Sequence, residues 1–319
     1  MDRKTIYIRY GLNKSIPSNG KEMGVRITAR TNVGKERTNN EDAFLVCPDL
    51  QVVNGNGPSL NKVSIQEGET WAVVADGMGG ENAGEIASKT AVDALKLFYE
   101  EERPIRNFTS DRDVLAFMQD GIRRANDAIR RRIEKEPENA GMGTTIVWLC
   151  VYGQKAYIAW CGDSRCYVFN PQKGLVLLTK DHSYVQELID QGVLSEFQTF
   201  THPANNVITR YLGGTGRVSS PDVAVFDIYP HDIIMLCTDG LSGLCPNATI
   251  ERVLQSSNVS DLDGAADALI ETALQAGGYD NVTVLLVVPY VEVEEERCSV
   301  IGFLKGIWQN KFGHKMRFK

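Results

Sequence analysis

Six carboxylate side chains follow apolar runs or lie in turns, positions from which they could face a common cleft. They are Glu41, Asp42, Asp76, Asp163, Asp239 and Asp280. Two bare carboxylates about 4 Å apart would repel each other by about 1 kcal/mol in water and by about 4 kcal/mol at an effective dielectric constant of about 20. A cluster of them must therefore bind protons or hold cations. Oxygen ligands of this kind suit hard cations such as Mg²⁺ or Mn²⁺.

Taken alone, each of these carboxylates is more simply explained as an ordinary turn residue. Repetition is the argument for a shared site. The apolar run 71–75 ends on Asp76, and apolar strands end in the same way near Asp163 and Asp239. Gly77 has no side chain, so a ligand or a metal could approach its backbone closely. Zinc is disfavoured because the four histidines form no pair at ligand spacing.

A guanidinium beside these carboxylates would complete a phosphate site, because it can bind two phosphate oxygens at once. Arg37, which shortly precedes Glu41 and Asp42, is the candidate, and the alternative is a solvated loop arginine. Two cations that share a bridging carboxylate can activate a water between them and stabilise an in-line displacement. These residue types are therefore compatible with metal-assisted chemistry on a phosphate group.

The elements that must position these residues show both strand and helix patterns. Strands are predicted over 25–30, 43–47, 71–75, 144–151, 155–161, 165–170, 174–179, 233–237 and 282–288. Helices are predicted over about 81–99, 110–133, 181–192 and 261–276, and 193–218 is irregular and polar. The short connections within 144–179 indicate antiparallel hairpins. Strand clusters separated by helix pairs predict an α+β layered domain.

Composition limits the classes of function. The net charge of −7 over 319 residues argues against general nucleic-acid binding. The seven cysteines include no CxxC spacing and lie mostly in apolar patterns, which indicates buried thiols in a reducing compartment. We expect no signal peptide, because no apolar segment follows the basic N-terminus, and the apolar run 282–288 is too short to span a bilayer. These features predict a cytoplasmic protein.

Three regions differ in character along the chain. We predict an N-terminal arm over 1–23, one domain over 24–290, and a tail over 291–319 that changes from acidic to basic and aromatic. Within the domain, 48–70 is rich in Gly, Asn and Pro, which predicts a loop or a hairpin. The tail could contact a membrane or dock a partner, but its glycines favour packing on the domain or disorder.

Eight short motifs occur in order between about residue 24 and residue 289. They are RTNNEDA (37–43), DGMGG (76–80), GTT (143–145), GDSR (162–165), LTKDHS (178–183), VITR (207–210), TDGL (238–241) and DN (280–281). Together they resemble the metal-dependent type 2C (PPM) serine/threonine protein phosphatases in their bacterial form. One such motif would be a weak signal, but eight in order are specific.

The resemblance implies an α/β/β/α sandwich, in which two packed antiparallel β-sheets are flanked by helices. It also implies two Mn²⁺ or Mg²⁺ ions and a third, weaker metal site. By this resemblance, Asp76 matches the ligand that bridges the two ions, and Gly77 matches a ligand that binds through its carbonyl. Asp239 and Asp280 match further ligands, and Glu41 and Asp42 match an acidic pair that acts partly through water. Asp163 matches a ligand of the third metal. Arg37 matches the phosphate-binding arginine, and 193–218 corresponds to a mobile flap that selects substrates.

The function implied by the resemblance is hydrolysis of phosphoserine and phosphothreonine in proteins, with a metal-bridging water attacking phosphorus directly. Arg37, Asp76 and Asp239 would then be the catalytic residues. Phosphoprotein substrates would be the partners, together with a serine/threonine kinase or its targets. Met78 is a departure, because the animal enzymes have there a histidine proposed as the general acid. Metal-bound water could be the acid, or His202, although a turn role is favoured for His202.

Two other functions are open to such a sequence. A pseudophosphatase would bind phosphoprotein or a partner without turnover, and loss of Asp76, Asp239 or Asp280 would favour it, but all three are present. The glycines of 76–80 suggest a nucleotide-binding enzyme as another hypothesis. It is rejected because neither dinucleotide nor P-loop spacing is satisfied, since Asn82 stands where a third glycine would be needed.

Overall fold

The computed structural model describes residues 6–8, 23–47, 51–54, 69–80, 83–214, 220–229, 231–257 and 261–291. Its strands are β1 (Ile6–Ile8), β2 (Met23–Asn32), β3 (Asp42–Cys47), β4 (Gln51–Asn54), β5 (Glu69–Met78), β6 (Gly143–Thr144), β7 (Ile146–Tyr152), β8 (Lys155–Cys161), β9 (Arg165–Asn170), β10 (Gly174–Leu177), β11 (Asp222–Asp227), β12 (Ile233–Cys237) and β13 (Val282–Val291). Its α-helices are α1 (Ala83–Glu102), α2 (Asp111–Lys135), α3 (Tyr184–Asp190), α4 (Glu196–Thr199), α5 (Asp239–Ser242), α6 (Asn247–Ser256) and α7 (Leu262–Gln275).

The strands form two sheets. The first has eight strands in the order β1-β11-β8-β7-β5-β3-β4, with β6 paired to β5 outside this path, and the second has five in the order β10-β9-β12-β13-β2. Neighbouring strands are antiparallel except for β1, which pairs in parallel with β11. With helices on both outer faces, the predicted α/β/β/α class is confirmed.

Apolar side chains that alternate between the two faces of each sheet form three hydrophobic layers. In β5, Trp71 and Val73 face the layer shared with α1 and α2, whereas Ala72 and Val74 face the layer between the two sheets. A third layer lies between the second sheet and helices α6 and α7. Because side chains alternate with a period of two, the even-numbered residues of β5 point between the sheets, and Asp76 continues that row.

Most of the predicted elements are present, and four elements lie where none was predicted. Ser110 is the N-cap of helix α2 and forms a capping box with Asp113. The missed elements are β11, which begins and ends with aspartate, α6, which follows a proline, and the one-turn helices α4 and α5. Part of the predicted hairpin in 48–70 is β4, paired with β3, and the rest lies outside the described residues.

The termini are described only in part. β1 lies within the predicted arm, and the predicted tail after residue 291 lies outside the described residues, so the boundaries at 23/24 and 290/291 stay predictions. Five cysteines that the structure describes form no disulfide and are buried: Cys150, Cys161, Cys166, Cys237 and Cys245. None of the helices within the described ranges is long and apolar enough to cross a membrane.

Candidate active site

The site lies at the mouth between the two sheets, where inward-facing strand positions become polar. Asp42 and Asp76 are directly opposite each other in the register of β3 and β5. Asp42 is 2% exposed, and it continues the row of Phe44 and Val46, which point between the sheets. Like charges that face each other across two strands are destabilising, so this pair has no obvious structural purpose.

Two threonines of the opposite sheet hold one oxygen of Asp42. Its Oδ2 accepts hydrogen bonds from Oγ1 of Thr283, at 2.6 Å, and from Oγ1 of Thr238, at 3.0 Å. Burial raises the pKa of Asp42 to about 7, although the two hydroxyls favour the charged form. Its Oδ1 is buried and has no hydrogen-bond partner.

Asp76 and Gly77 are held by their backbone groups. The Asp76 carbonyl accepts from the amide of Thr145 at 2.8 Å, and the Gly77 amide donates to the Glu41 carbonyl at 3.1 Å. A Cβ added to Gly77 would lie 2.1 Å from the Gly84 carbonyl oxygen, so only glycine fits there. Removal from water, followed by repulsion from Asp239, raises the pKa of Asp76 well above its ordinary value.

Asp239 opens the one-turn helix α5 directly after β12. Removal from water and then repulsion from Asp280 raise its pKa, and a hydrogen bond with the Asp76 carboxyl opposes this rise. Asp163 follows Gly162, whose φ of 120° is a conformation that other residues rarely adopt. Asp163 is 7% exposed, and burial followed by repulsion from Asp239 raises its pKa. These four aspartates therefore belong to one electrostatic cluster.

Arg37 lies at the exposed edge of this cluster. Its Nη2 donates to Oδ2 of Asp280 at 2.9 Å, and both side chains are partly exposed. Burial lowers the pKa of Arg37, but attraction by Asp280, Glu41 and Asp76 outweighs it and raises the pKa. Glu41 is half-buried, and burial raises its pKa against the attraction of Arg37. The structure thus brings the predicted site residues together.

The donor set fits hard cations better than it fits a hydrogen-bonded network. Asp42, Asp163 and Asp239 each have a buried Oδ1 without a hydrogen-bond partner. Within the described ranges, no three His, Cys, Asp or Glu side chains form a ready-made ligand set for a metal ion. Carboxylates without a cation repel one another, and Mg²⁺ keeps several waters and needs few direct protein ligands. Unpartnered oxygens in an all-oxygen cleft are therefore the observation that favours cations.

The stretch 193–218 covers one side of the cleft, and residues 215–218 of it lie outside the described residues. Residues 207–209 are fixed to the segment at the start of α3, because the Tyr184 amide donates to the Val207 carbonyl at 2.8 Å and the Thr209 amide donates to the His182 carbonyl at 2.8 Å. A cavity of about 100 Å³ is lined by Asp163 and Asp239 together with Phe200 of this stretch. His202 lies in a turn, where Nδ1 accepts from the Ala204 amide at 3.1 Å, as the turn interpretation expected.

Two supporting groups were not predicted from the sequence. The first is a chain in which the Gly162 amide donates to His182 Nδ1 at 3.0 Å and His182 Nε2 contacts Asp222 at 3.2 Å. The second is an ion pair between Arg165 and Asp181, 2.7 Å apart. Both groups join residues of the motifs GDSR and LTKDHS, and only Asp222 lies outside the motifs.

Known proteins carry the same pattern. A family model for protein phosphatase 2C matches residues 33–188. The serine/threonine phosphatase stp of Listeria innocua is 36% identical over 258 residues, which are 81% of this chain and 93% of the relative. The chain belongs to the protein phosphatase 2C family. The serine/threonine protein phosphatase PstP of Mycobacterium tuberculosis is 34% identical over 82% of this chain, which spans only 44% of that relative.

Solved structures of the protein phosphatase 2C family share this fold. The catalytic domain of the serine/threonine phosphatase PstP, in complex with two manganese ions, matches with a TM-score of 0.66 and 30% identity. The match covers 84% of this chain and 99% of that domain. The manganese ions belong to that protein. For this chain, the match establishes that its two-sheet sandwich is the protein phosphatase 2C fold.

Proposed function

We propose that this chain is a metal-dependent protein phosphatase that removes phosphate from phosphoserine and phosphothreonine. The observation that carries the proposal is the set of buried, unpartnered carboxylate oxygens on Asp42, Asp163 and Asp239 beside a half-exposed arginine. Family membership supports it, because the curated relatives are serine/threonine phosphatases. Phosphoproteins are the proposed partners, including a serine/threonine kinase or its targets.

We assign two Mn²⁺ or Mg²⁺ ions to the carboxylates, with a third, weaker site. Asp76, the Gly77 carbonyl, Asp239 and Asp280 would hold the two ions, with the pair Glu41 and Asp42 acting partly through water, and Asp163 would hold the third. When bound, the ions supply positive charge and a water nucleophile of lowered pKa. The proposed role of Asp42 is indirect, because its Oδ2 is already engaged by two threonines.

The chain's own residues bind and orient the phosphate. Arg37 is 50% exposed, so its guanidinium can reach a phosphate at the mouth of the cleft while its ion pair with Asp280 holds it in place. A planar guanidinium binds two phosphate oxygens and leaves the phosphorus open to attack from the opposite side. In the reaction, a water oxygen bonds to phosphorus and gives up one proton to solvent, the bond between phosphorus and the serine or threonine oxygen breaks, and that oxygen takes a proton. Met78 has no proton to donate, so we propose that solvent supplies it.

The deciding experiment is phosphate release from a phosphothreonine peptide, measured with Mn²⁺, with Mg²⁺ and with chelator. We expect turnover that needs the cation and that falls about a thousandfold or more in Asp239→Asn, because a charged ligand is lost. The matched control is Asp93→Asn, which removes an exposed aspartate paired with Lys89 on α1. That variant should retain the activity of the unchanged protein.

A folded protein without turnover under any of these conditions would refute the proposal and leave a phosphoprotein-binding role. Phosphopeptide affinity would then be the quantity to measure.

We also propose a cytoplasmic location. The buried thiols that form no disulfide support this proposal, because disulfides are rare in the cytoplasm. Exposure of these thiols to alkylating reagent only after unfolding would agree with that proposal, and a native disulfide would contradict it.

A further inference from the structure

The stretch 184–207 beside the cleft is unusually apolar at its surface. Among the residues that the structure describes, eight large apolar side chains are exposed, and five of them lie here: Tyr184, Val193, Phe197, Phe200 and Val207. Phe197, on the short helix α4, is the most exposed at 84%. Apolar side chains gathered in this way mark binding surfaces more often than they mark plain solvent contact.

Phe197 stands over a cavity. The space has a volume of about 380 Å³ and lies between α4, α3 and the beginning of α6. Its apolar lining comprises Leu177, Val185, Ile189, Phe197, Phe200 and Pro246. A volume in this range is typical of pockets that enclose a small ligand or a side chain, and an apolar wall favours an apolar occupant.

The polar end of this cavity carries little net charge. Arg165 and Asp181 both line it, and they form an ion pair of 2.7 Å in which both side chains are largely buried. The Arg165 guanidinium also donates to the Tyr167 hydroxyl at 3.0 Å. Because the two charges of this pair neutralise each other, the pair would not select a charged side chain. The other charged lining residue, Glu196, is exposed to solvent.

The cavity is continuous with the catalytic cleft. The smaller space beside Asp163 and Asp239 shares six lining residues with it, among them Phe200 at the border. A protein chain whose phosphorylated residue lies at the carboxylates must leave the cleft in some direction. The cavity is an opening that adjoins the carboxylates and is walled by apolar groups.

We propose that this cavity is a specificity pocket that binds a large apolar side chain of the substrate, such as leucine or phenylalanine, close to the phosphorylated residue. The inference rests on the proposed phosphatase function and adds a substrate class to it. Phe197 and Phe200 are the contacting residues. A pocket of this kind binds substrate and transition state equally, so it lowers KM and leaves kcat unchanged.

The test uses a phosphothreonine peptide whose neighbours are alanine, and a series in which one neighbour becomes leucine. Positions within about four residues on either side are scanned, a reach of roughly 13–14 Å each way. p-Nitrophenyl phosphate, which has no neighbouring residues, is the reference substrate. The variant Phe197→Ala truncates the exposed wall, and Ile105→Ala is its control, because Ile105 is 76% exposed and does not line the cavity.

We expect leucine at one position to lower KM by about tenfold or more, with kcat unchanged, and Phe197→Ala to abolish that advantage. The quantity compared is the ratio of KM for the alanine and leucine peptides within each variant, and Ile105→Ala should keep the ratio of the unchanged protein. A leucine advantage that survives Phe197→Ala, or the absence of any leucine advantage, would overturn the pocket alone. Absence of turnover with every substrate would instead refute the phosphatase function, and the pocket with it.

Discussion

Asp222 and the aspartates of the cleft have opposite surroundings. Asp222, at the start of β11, receives hydrogen bonds from His182 Nε2 at 3.2 Å and from Arg210 Nη2 at 3.0 Å. Although burial would raise its pKa, these donors outweigh burial and lower the pKa of Asp222 below its ordinary value. In the cleft, Asp76 and Asp239 have raised pKa values, first through burial and then through repulsion by other carboxylates.

The difference separates structural from functional acids. Asp222 has positive or hydrogen-bonding partners within the chain, so its charge is stabilised once the protein folds. The cleft acids have mainly one another, and three of their buried oxygens have no partner. Unpaired buried charge costs stability, and such sites are kept where function requires them. Substitutions in the two groups should therefore affect stability and activity in opposite ways.

Asp76→Asn should have the largest effect of any such substitution. We expect phosphopeptide hydrolysis to fall by about a thousandfold or more, equivalent to about 4 kcal/mol of transition-state stabilisation. In the metal-free protein, however, the free energy of unfolding should rise by about 1 kcal/mol, because a repelling charge is removed. Urea unfolding in chelator measures the second quantity.

The same unfolding measurement with excess Mn²⁺ completes this comparison. Added Mn²⁺ should stabilise the unchanged protein but stabilise Asp76→Asn much less, because a ligand that binds only the folded state raises its stability. A loss of stability in the metal-free Asp76→Asn protein would show that Asp76 is stabilising, as Asp222 is, and would contradict the comparison.

Asp222→Asn should lower the stability of the protein and leave its activity almost unchanged, and the effect should be smaller than that of Asp76→Asn. Loss of the charge that binds His182 and Arg210 should lower the free energy of unfolding by about 1–2 kcal/mol, since hydrogen bonds to charged groups contribute about that much. We place it at the lower end because the Asp222 side chain is 36% exposed and solvent screens the pair. The kcat for phosphopeptide hydrolysis should change by no more than a few-fold.

The control for this variant is Asp227→Asn, at the exposed far end of the same strand. It should leave both the free energy of unfolding and kcat unchanged. If Asp222→Asn instead lost activity without losing stability, Asp222 would act on the catalytic loop through His182 and Gly162, and the division between structural and functional acids would fail at this residue.

Local sequence predicted the cleft acids better than it predicted their supports. The apolar run before Asp76 and the glycine after it define a strand and a tight turn within about ten residues. Both elements can therefore be predicted from the local sequence alone. The threonines that hold Asp42 are 196 and 241 residues away from it. Such pairings depend on the order of the strands in two sheets, which spacing along one chain does not encode.

The same reason explains the missed strand and the missed role of His182. β11 starts and ends with aspartate, and strand propensity disfavours that residue. Its pairing with β8 along six residues outweighs propensity. In the sequence, His182 is only one of four histidines without the spacing of metal ligands. In the structure its ring stacks on Trp160, and its two nitrogens are engaged by Gly162 and Asp222.

The stability of the metal-free protein should also depend on pH. Because the folded pKa of Asp42 is raised to about 7, the folded protein binds more protons than the unfolded chain between about pH 4 and pH 7. Its contribution to stability is therefore lost as pH rises through this window. Asp222 has a lowered folded pKa, so its contribution is present above about pH 4 and is lost only as pH falls below that value. Between pH 5 and pH 7 the contribution of Asp42 should therefore fall while that of Asp222 stays constant.

Thermal unfolding in chelator at pH 5, 6 and 7 measures this slope. We expect Tm to fall as pH rises, by several degrees in total, corresponding to about 2 kcal/mol. Asp42→Asn should flatten the slope, whereas Asp222→Asn should lower every Tm and keep the slope. With excess Mn²⁺ the slope should reverse, because cations bind deprotonated carboxylates and their affinity rises with pH. A Tm that rises from pH 5 to pH 7 in chelator would mean that the cleft acids are already stabilised by groups of the protein, and the case for cations there would lose its main support.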